Sequence, residues 1–224
     1  MEKLRAMTLT EEARPGGPEL YELRYMRMWT KLRPGARALL AAAAPIAEVM
    51  VYTMGDRAYA VEMARLLDPE GALLRPGRLI AAQDSRTAGA KDLDVVLGAA
   101  PGALILDDTP SVWPRHADNV IRADRYHFFP ASARGHGGDP ATSCLARNMD
   151  EGEADGVMAA LTRVVRQVHA AFFDGSDGAD RDVRPLLRSI RADVLRGCVL
   201  VFSHGATMRA RSMHQDAHAA APAQ

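Results

Sequence analysis

Two cysteines, no formal net charge and only 5% aromatic residues already exclude several classes of protein. Cys144 and Cys198 stand far apart and share no metal-ligand spacing. Cysteine this sparse rules against a disulfide scaffold, and it fits a reduced intracellular compartment with both thiols free. Basic and acidic residues balance at 28 each. That leaves no electrostatic footprint for direct nucleic-acid binding or for an anionic membrane. The longest small-apolar run, Ala38–Ala44, falls far short of the roughly 20 residues a spanning helix needs. The opening MEKLRAMTLTEEARPGG has no apolar core of a secretory signal, so a soluble protein is expected. Aspartate is missing from the first 55 residues; the first is Asp56. No phosphate-binding or dinucleotide fingerprint is present, since Gly135-His-Gly-Gly138 follows no strand. The histidines, His116 and His127 among them, lack zinc spacing.

What remains is an ordinary globular composition, 48% hydrophobic and 25% charged over 224 residues. That length suits one domain with a fragment of a second. After a polar, Gly/Pro-rich start to about Gly17, Leu20–Trp29 alternates loosely as a strand or lead-in segment. Pro34 is suited to open a helix through the Ala-rich run that Pro45 stops. Val49–Tyr52 reads as a buried parallel strand, and Arg57–Leu67 as a helix ended by Asp68-Pro-Glu-Gly71. Leu79–Ala82 predicts a weak strand, Lys91–Leu97 a short helix, Ala103–Leu106 the clearest buried strand, and Val120–Ile121 another. Pro130–Asp150 predicts a long, mobile, Gly-rich loop. Helices are expected over Asp155–Phe173 and Asp182–Leu195, a strand at Cys198–Phe202, and a disordered tail beyond. Alternating strands and helices predict an α/β domain with a mostly parallel sheet, which binds ligands at the carboxyl ends of its strands.

Two strand ends carry residues suited to chemistry. Ala103–Leu106 runs into Asp107-Asp108, whose adjacent carboxylates repel each other. A Mg²⁺ ion would relieve that repulsion with hard oxygen ligands, although Asp-Asp-Thr-Pro is also good turn sequence. Val49–Tyr52 runs into Thr53, whose hydroxyl could hold a phosphate oxygen or be an ordinary strand residue. Lys91 at a predicted helix start could face an anion, or be a solvated lysine. Asp92-Leu-Asp94-Val spells D-x-D-x-V, but Thr-Ala-Gly-Ala-Lys before it cannot be the buried strand that an aspartate nucleophile requires. Ser85 and Ser111 have no visible base partner.

Taken in order, the segments resemble one family. They are Lys31-Leu-Arg-Pro-Gly35, Val51-Tyr-Thr-Met-Gly55, Ala64-Arg-Leu-Leu-Asp-Pro69, Lys91-Asp-Leu93, Ile105-Leu-Asp-Asp108, Val112-Trp-Pro114, Asn119-Val-Ile121 and Arg125-Tyr126. The run is similar to the catalytic domain of the TFIIF-interacting phosphatases of the RNA polymerase II carboxy-terminal domain, plant-type members above all. These belong to the haloacid dehalogenase superfamily. The resemblance continues through Val168-His169, Phe172-Phe173, Asp182-Val-Arg184 and Gly197–Ser203, where the family opens a phosphopeptide-binding BRCT domain. It implies a haloacid-dehalogenase-like sheet flanked by helices and magnesium-dependent phosphoserine/threonine hydrolysis in the nucleus. The implied substrate is the phosphorylated polymerase repeat, with TFIIF as a partner. It also implies roles: Thr53 binds the phosphoryl group, Lys91 neutralises nucleophile and phosphate, Asp108 holds the metal, and Asp107 supports it through water.

The resemblance implies an organisation of an ill-defined segment 1–30, a partial phosphatase domain 31–130 and a flexible loop 131–154. A helical linker with the first BRCT strand would follow over 155–203, then a tail over 204–224. The family's nucleophile strand, of the form L-D-L-D-H-T and lying upstream of the K-L-R-P-G segment, is not found in these residues. The chain therefore reads either as a piece of an active phosphatase or as an inactive homologue that binds phosphopeptides or scaffolds. This polypeptide by itself is expected to show little or no magnesium-dependent turnover of a phosphoserine heptad peptide. Measurable hydrolysis by the purified chain would overturn that expectation.

Overall fold

Leu20–Trp29 does not form a single strand; it belongs to a hairpin. β1 (Leu20–Leu23) pairs antiparallel with β2 (Met28–Lys31), Leu20 opposite Lys31. A 3₁₀ turn over Arg24–Met26 and Arg27 in the left-handed region reverse the chain. The structure, a computed structural model, describes residues 2–11, 17–96, 100–174 and 181–199. A helix, α1 (Glu2–Glu11), precedes the hairpin. The chain divides into two compact units, residues 1–188 and 189–224.

α2 (Ala36–Ala43) starts later than Pro34 predicts. Gly35 stands at φ +79°, which breaks helical continuity, so Pro34 sits fully buried in the turn before the helix. A side chain at Gly35 would also press on Met158, since its Cβ would lie 3.1 Å from Met158 Cβ. β3 (Val51–Tyr52) leads into α3 (Arg57–Leu67), where the Asp56 carboxylate accepts a hydrogen bond from Tyr59 N at 2.8 Å. At the other end, the Asp68 carboxylate accepts from the N–H groups of Ala72, Leu73 and Leu74. Those bonds, the one from Leu74 first, hold its carboxyl below the usual range.

β4 (Leu79–Ile80) pairs parallel with β3, and Thr53 N continues the ladder to Ile80 O. β5 (Ile105–Asp107) pairs parallel with β6 (Val120–Arg122), Asp107 opposite Arg122. Buried Asn119 anchors the approach to β5 by donating to Ala100 O and Ala103 O. The parallel pairing expected from the sequence is therefore present. Among the described residues it forms two separate two-stranded pairs and one hairpin, not one continuous sheet. A cavity of about 550 Å³ is lined by Met50, Tyr52 and Ile80 from one pair and by Ile105 and Leu106 from the other.

The segment expected to be a loop carries short helices. α4 (Pro130–Gly135) opens on a proline, and α5 (Cys144–Arg147) is capped by Ser143, whose side chain accepts from Ala146 N. Cys144 N and Leu145 N donate to His127 O and Phe128 O and tie the segment down. These elements are too short for apolar periodicity to reveal, and only their capping residues announce them. α6 (Val157–Phe173) packs along α2 and buries Leu161 and Val168, while α7 (Val183–Asp193) buries Val183 and Leu187. Lys91–Leu97 holds only a 3₁₀ turn over Leu93–Val95, and Leu97 lies outside the described residues. Cys198 and Val199 are exposed and in no strand; the rest of the expected last strand and the tail 204–224 also lie outside the described residues. No helix among the described residues is long and apolar enough to cross a membrane.

Leu66, at 1% exposure, packs with Leu23 and Leu32, joining α3 to the hairpin. Leu66→Ala should cost about 3 kcal/mol in urea denaturation. Val61→Ala on the same helix, at a half-exposed position, should change stability by less than about 0.5 kcal/mol.

Candidate active site

Lys91 is the hub of the predicted residues. It lies before the Leu93–Val95 turn, so neither a helix terminus nor free solvent surrounds it. Its N–H donates to Val112 O at 2.7 Å, and its Nζ donates to Asp107 Oδ2 at 2.6 Å. Both side chains are close to nine-tenths buried. The ammonium also sits over the rings of Trp113 and Tyr52, 5.4 and 5.7 Å from their centroids.

Asp107 accepts three hydrogen bonds. Oδ2 accepts from Lys91 and from Trp113 Nε1 at 2.9 Å, and Oδ1 accepts from Thr109 N at 2.8 Å. Burial alone would raise its pKa, but these three hydrogen bonds outweigh it and hold the carboxyl below the ordinary range. Asp108 points elsewhere. Oδ1 accepts from Thr109 Oγ1 at 2.5 Å, and Oδ2 lies 3.8 Å from Arg125 Nε. The repulsion expected between the two carboxylates is thus relieved by separate cationic partners. Asp108, at 44% side-chain exposure, is the more open of the two to an incoming ion, while Asp107 is close to nine-tenths buried.

Thr53 lies one residue past β3, and its hydroxyl accepts from Gly55 N at 3.0 Å. Tyr52 beside it meets Trp113 edge-on, ring centroids 5.3 Å apart, so the ends of β3 and β5 share one aromatic contact. Tyr52 OH also pairs with Ser85 Oγ at 2.6 Å. The structure joins Lys91 directly to Asp107, keeps Asp108 next to them, and links Thr53 to the group through Tyr52. Trp113 and Tyr52 were missed as site residues. The only signal was Trp113 itself, a tryptophan six residues after Asp107.

Among the described residues no group of three or more His, Cys, Asp or Glu side chains is arranged to hold a metal. One partly exposed carboxylate at a strand end still fits Mg²⁺, which keeps several waters and takes one or two carboxylates plus substrate phosphate. The D-x-D-x-V segment proves structural. Asp92 accepts from Asp94 N and pairs with His116 Nε2 and Arg115. Burial works against its charge, yet the His116 and Asp94 hydrogen bonds and Arg115 bring its carboxyl down to about 2.

Short parallel strands that end in Thr53 and in Asp107-Asp108, with helices packed beside them, make an α/β arrangement, and likeness to solved structures gives it the haloacid-dehalogenase-like fold. The chain belongs to the NLI interacting factor-like phosphatase family, whose model matches residues 9–135. It is 42% identical over 204 residues to RNA polymerase II C-terminal domain phosphatase-like 4 of Arabidopsis thaliana, covering 90% of this chain and 46% of that protein. Phosphatase-like 3 of the same plant is 39% identical over 82% of this chain and 15% of its own length. The chain thus spans about half, or less, of the length of these relatives. Among solved structures, Fcp1, an RNA polymerase II CTD phosphatase, superposes with a TM-score of 0.60 at 24% identity, over 79% of this chain and 59% of that one. The fission yeast Fcp1-R271A structure bound to beryllium fluoride gives 0.61 at 22%, over 76% and 57%. At those identities the likeness speaks for the fold.

Lys91→Met should destabilise the chain by about 3 kcal/mol, because it strands the buried Asp107 charge. Asp107 has a lowered folded pKa, so its pairing stabilises above the ordinary carboxylate range and is lost as pH falls through the folded value. The difference between wild type and Lys91→Met should therefore shrink from about pH 7 toward pH 3 in urea titrations.

Proposed function

We propose that this chain forms the substrate- and cation-binding part of a magnesium-dependent protein serine/threonine phosphatase that acts in the nucleus on phosphorylated RNA polymerase II carboxy-terminal repeats. The observation that carries the reading is the Lys91–Asp107 pair at the carboxyl end of β5, linked through Tyr52 to Thr53 at the end of β3. Phosphate monoesters hydrolyse extremely slowly, so their catalysts must stabilise charge on the phosphoryl oxygens. Thr53 would donate its hydroxyl to one such oxygen. Lys91 would offset the negative charge of nucleophile and phosphate. Asp107, fixed by three donors, would hold the Lys91 side chain aimed. Asp108 would supply a ligand for the cation, which when bound withdraws charge from the phosphoryl group. TFIIF as a partner, and a BRCT domain beginning at Gly197–Ser203, belong to the same reading and rest on the resemblance.

The nucleophile would come from a strand bearing D-x-D-x-T, a motif these 224 residues do not contain. Its seat would be the cavity between the β3–β4 and β5–β6 pairs. Two-stranded parallel pairs are marginal alone, and a strand between them would satisfy both inner edges. Such a strand would run parallel and deliver its carboxylates at the end that holds Thr53, Lys91 and Asp108.

A fusion that places an apolar strand ending in D-L-D-H-T before residue 1 on a flexible linker tests this. It should melt at a higher temperature than the chain alone and hydrolyse a phosphoserine heptad peptide only with Mg²⁺. Activity should vanish on changing the first aspartate of the motif to asparagine, and should fall at least about 100-fold in Thr53→Val. A stabilised fusion that binds the phosphopeptide without turnover would overturn the catalytic reading in favour of an inactive binding module.

A further inference from the structure

Arg125 is not among the residues given a role above, yet the fold places it at the mouth of the site. The backbone on either side of it is held. Arg33 Nη1 donates to Asp124 O at 2.5 Å, and the Arg33 guanidinium lies over the Tyr126 ring, 5.3 Å from its centroid. Tyr126 OH in turn donates to Asp150 at 2.9 Å, and Arg33 is itself fixed by the Glu151 carboxylate. The Arg125 side chain is thus projected from an anchored segment just past β6, where Ala123 N continues the ladder to Asp107 O.

Its partners are those of the predicted cation ligand. Arg125 Nη2 donates to Thr109 Oγ1 at 2.7 Å, and Thr109 Oγ1 donates to Asp108 Oδ1. Arg125 Nε stands 3.8 Å from Asp108 Oδ2, an electrostatic contact and not a hydrogen-bonded fork. The pair is a third to nearly half exposed, so water screens it and holding it together gains little. A divalent ion would bind a carboxylate oxygen at roughly 2.0–2.1 Å and displace so loose a partner. The guanidinium would then lack its carboxylate, and the nearest anion would be a phosphoryl group brought to the same strand end. Arginine matches phosphate oxygens in both charge and geometry.

We propose that Arg125 is a positioning residue that competes with the cation for Asp108 and, once Asp108 is engaged, supplies a second positive charge to the bound phosphate. The inference rests on the reading of Asp108 as a cation ligand given under the proposed function. It makes a prediction of opposite signs. Removing Arg125 should tighten cation binding and weaken anion binding, whereas simple damage to the loop would weaken both.

The test uses the purified full chain, stripped with chelator, in wild-type, Arg125→Ala and Arg125→Lys forms with matched thermal melts. Mn²⁺ binding is followed by electron paramagnetic resonance, and inorganic phosphate is titrated calorimetrically in saturating Mg²⁺. Arg125→Ala should bind Mn²⁺ about threefold more tightly and phosphate about threefold more weakly, the scale of a part-exposed ion pair. Arg125→Lys, which keeps the charge, should return both values toward wild type. Changes of the same sign, or no change in either titration, overturn the proposal while leaving Asp108 as a ligand. A wild-type chain that binds no Mn²⁺ overturns the reading of Asp108 itself, and the proposal with it.

Discussion

The buried ion pair between Lys91 and Asp107 is the contact on which the arrangement of the site depends. An ammonium and a carboxylate that give up most of their water survive only with close mutual contact and further hydrogen bonds. Asp107 meets that demand with Trp113 Nε1 and Thr109 N, and Lys91 meets it with two aromatic faces. Each partner comes from a different segment. The pair therefore fixes the 91–95 stretch, the end of β5, the turn at Val112–Trp113 and, through Tyr52, the end of β3.

A second polar network does comparable work away from the chemistry. Lys31, almost wholly buried, pairs with Glu19 and Asp150, and its ammonium stands 5.6 Å from the centroid of the Phe128 ring. Arg33 links Glu151 to the backbone of Asp124. The two cations of the Lys31-Leu-Arg33 segment thus clamp the loop after β6 to the hairpin and to the stretch before α6. Burying charge here costs desolvation that an apolar contact would avoid, but paired charges fix register and direction in a way that apolar packing does not. The beneficiary is the 124–126 segment, whose position decides where Arg125 points.

Between the two parallel pairs lies apolar surface, and among the described residues no strand pairs their facing edges. Met50 and Tyr52 face the same cavity as Ile105 and Leu106, with Val165, Val168 and Phe172 of α6 along it. Backbone groups at a strand edge need partners, and parallel strands are ordinarily covered on both sides. On the proposed reading, a strand seated there would bring a nucleophile to the charged groups gathered at these strand ends. On that same reading the groups present would bind, neutralise and orient, and each is placed by an element the chain does contain.

By itself the sequence determined the element types and the strand ends. Apolar runs such as Ala103–Leu106, the periodicity of Arg57–Leu67 and the turn at Asp68–Gly71 are local signals, and the structure follows them within a residue or two. Polar residues immediately after buried strands also marked Thr53, Asp107 and Asp108. Local pattern misread the hairpin at Leu20–Lys31, the ordered turns over 130–150 and the surroundings of Lys91. In each case the deciding contacts join residues far apart in the chain. Local pattern placed Lys91 at a helix start, facing either an anion or solvent; the fold buried it against an aspartate 16 residues later with two aromatic rings beside it. Local pattern did not separate Asp107 from Asp108, and the resemblance alone gave Asp108 the metal and Asp107 a supporting role; tertiary structure surrounds Asp107 with three donors and leaves Asp108 partly exposed. Whether a carboxylate is spent on structure or kept for chemistry depends on which donors reach it. Chain folding, and not local spacing, sets that.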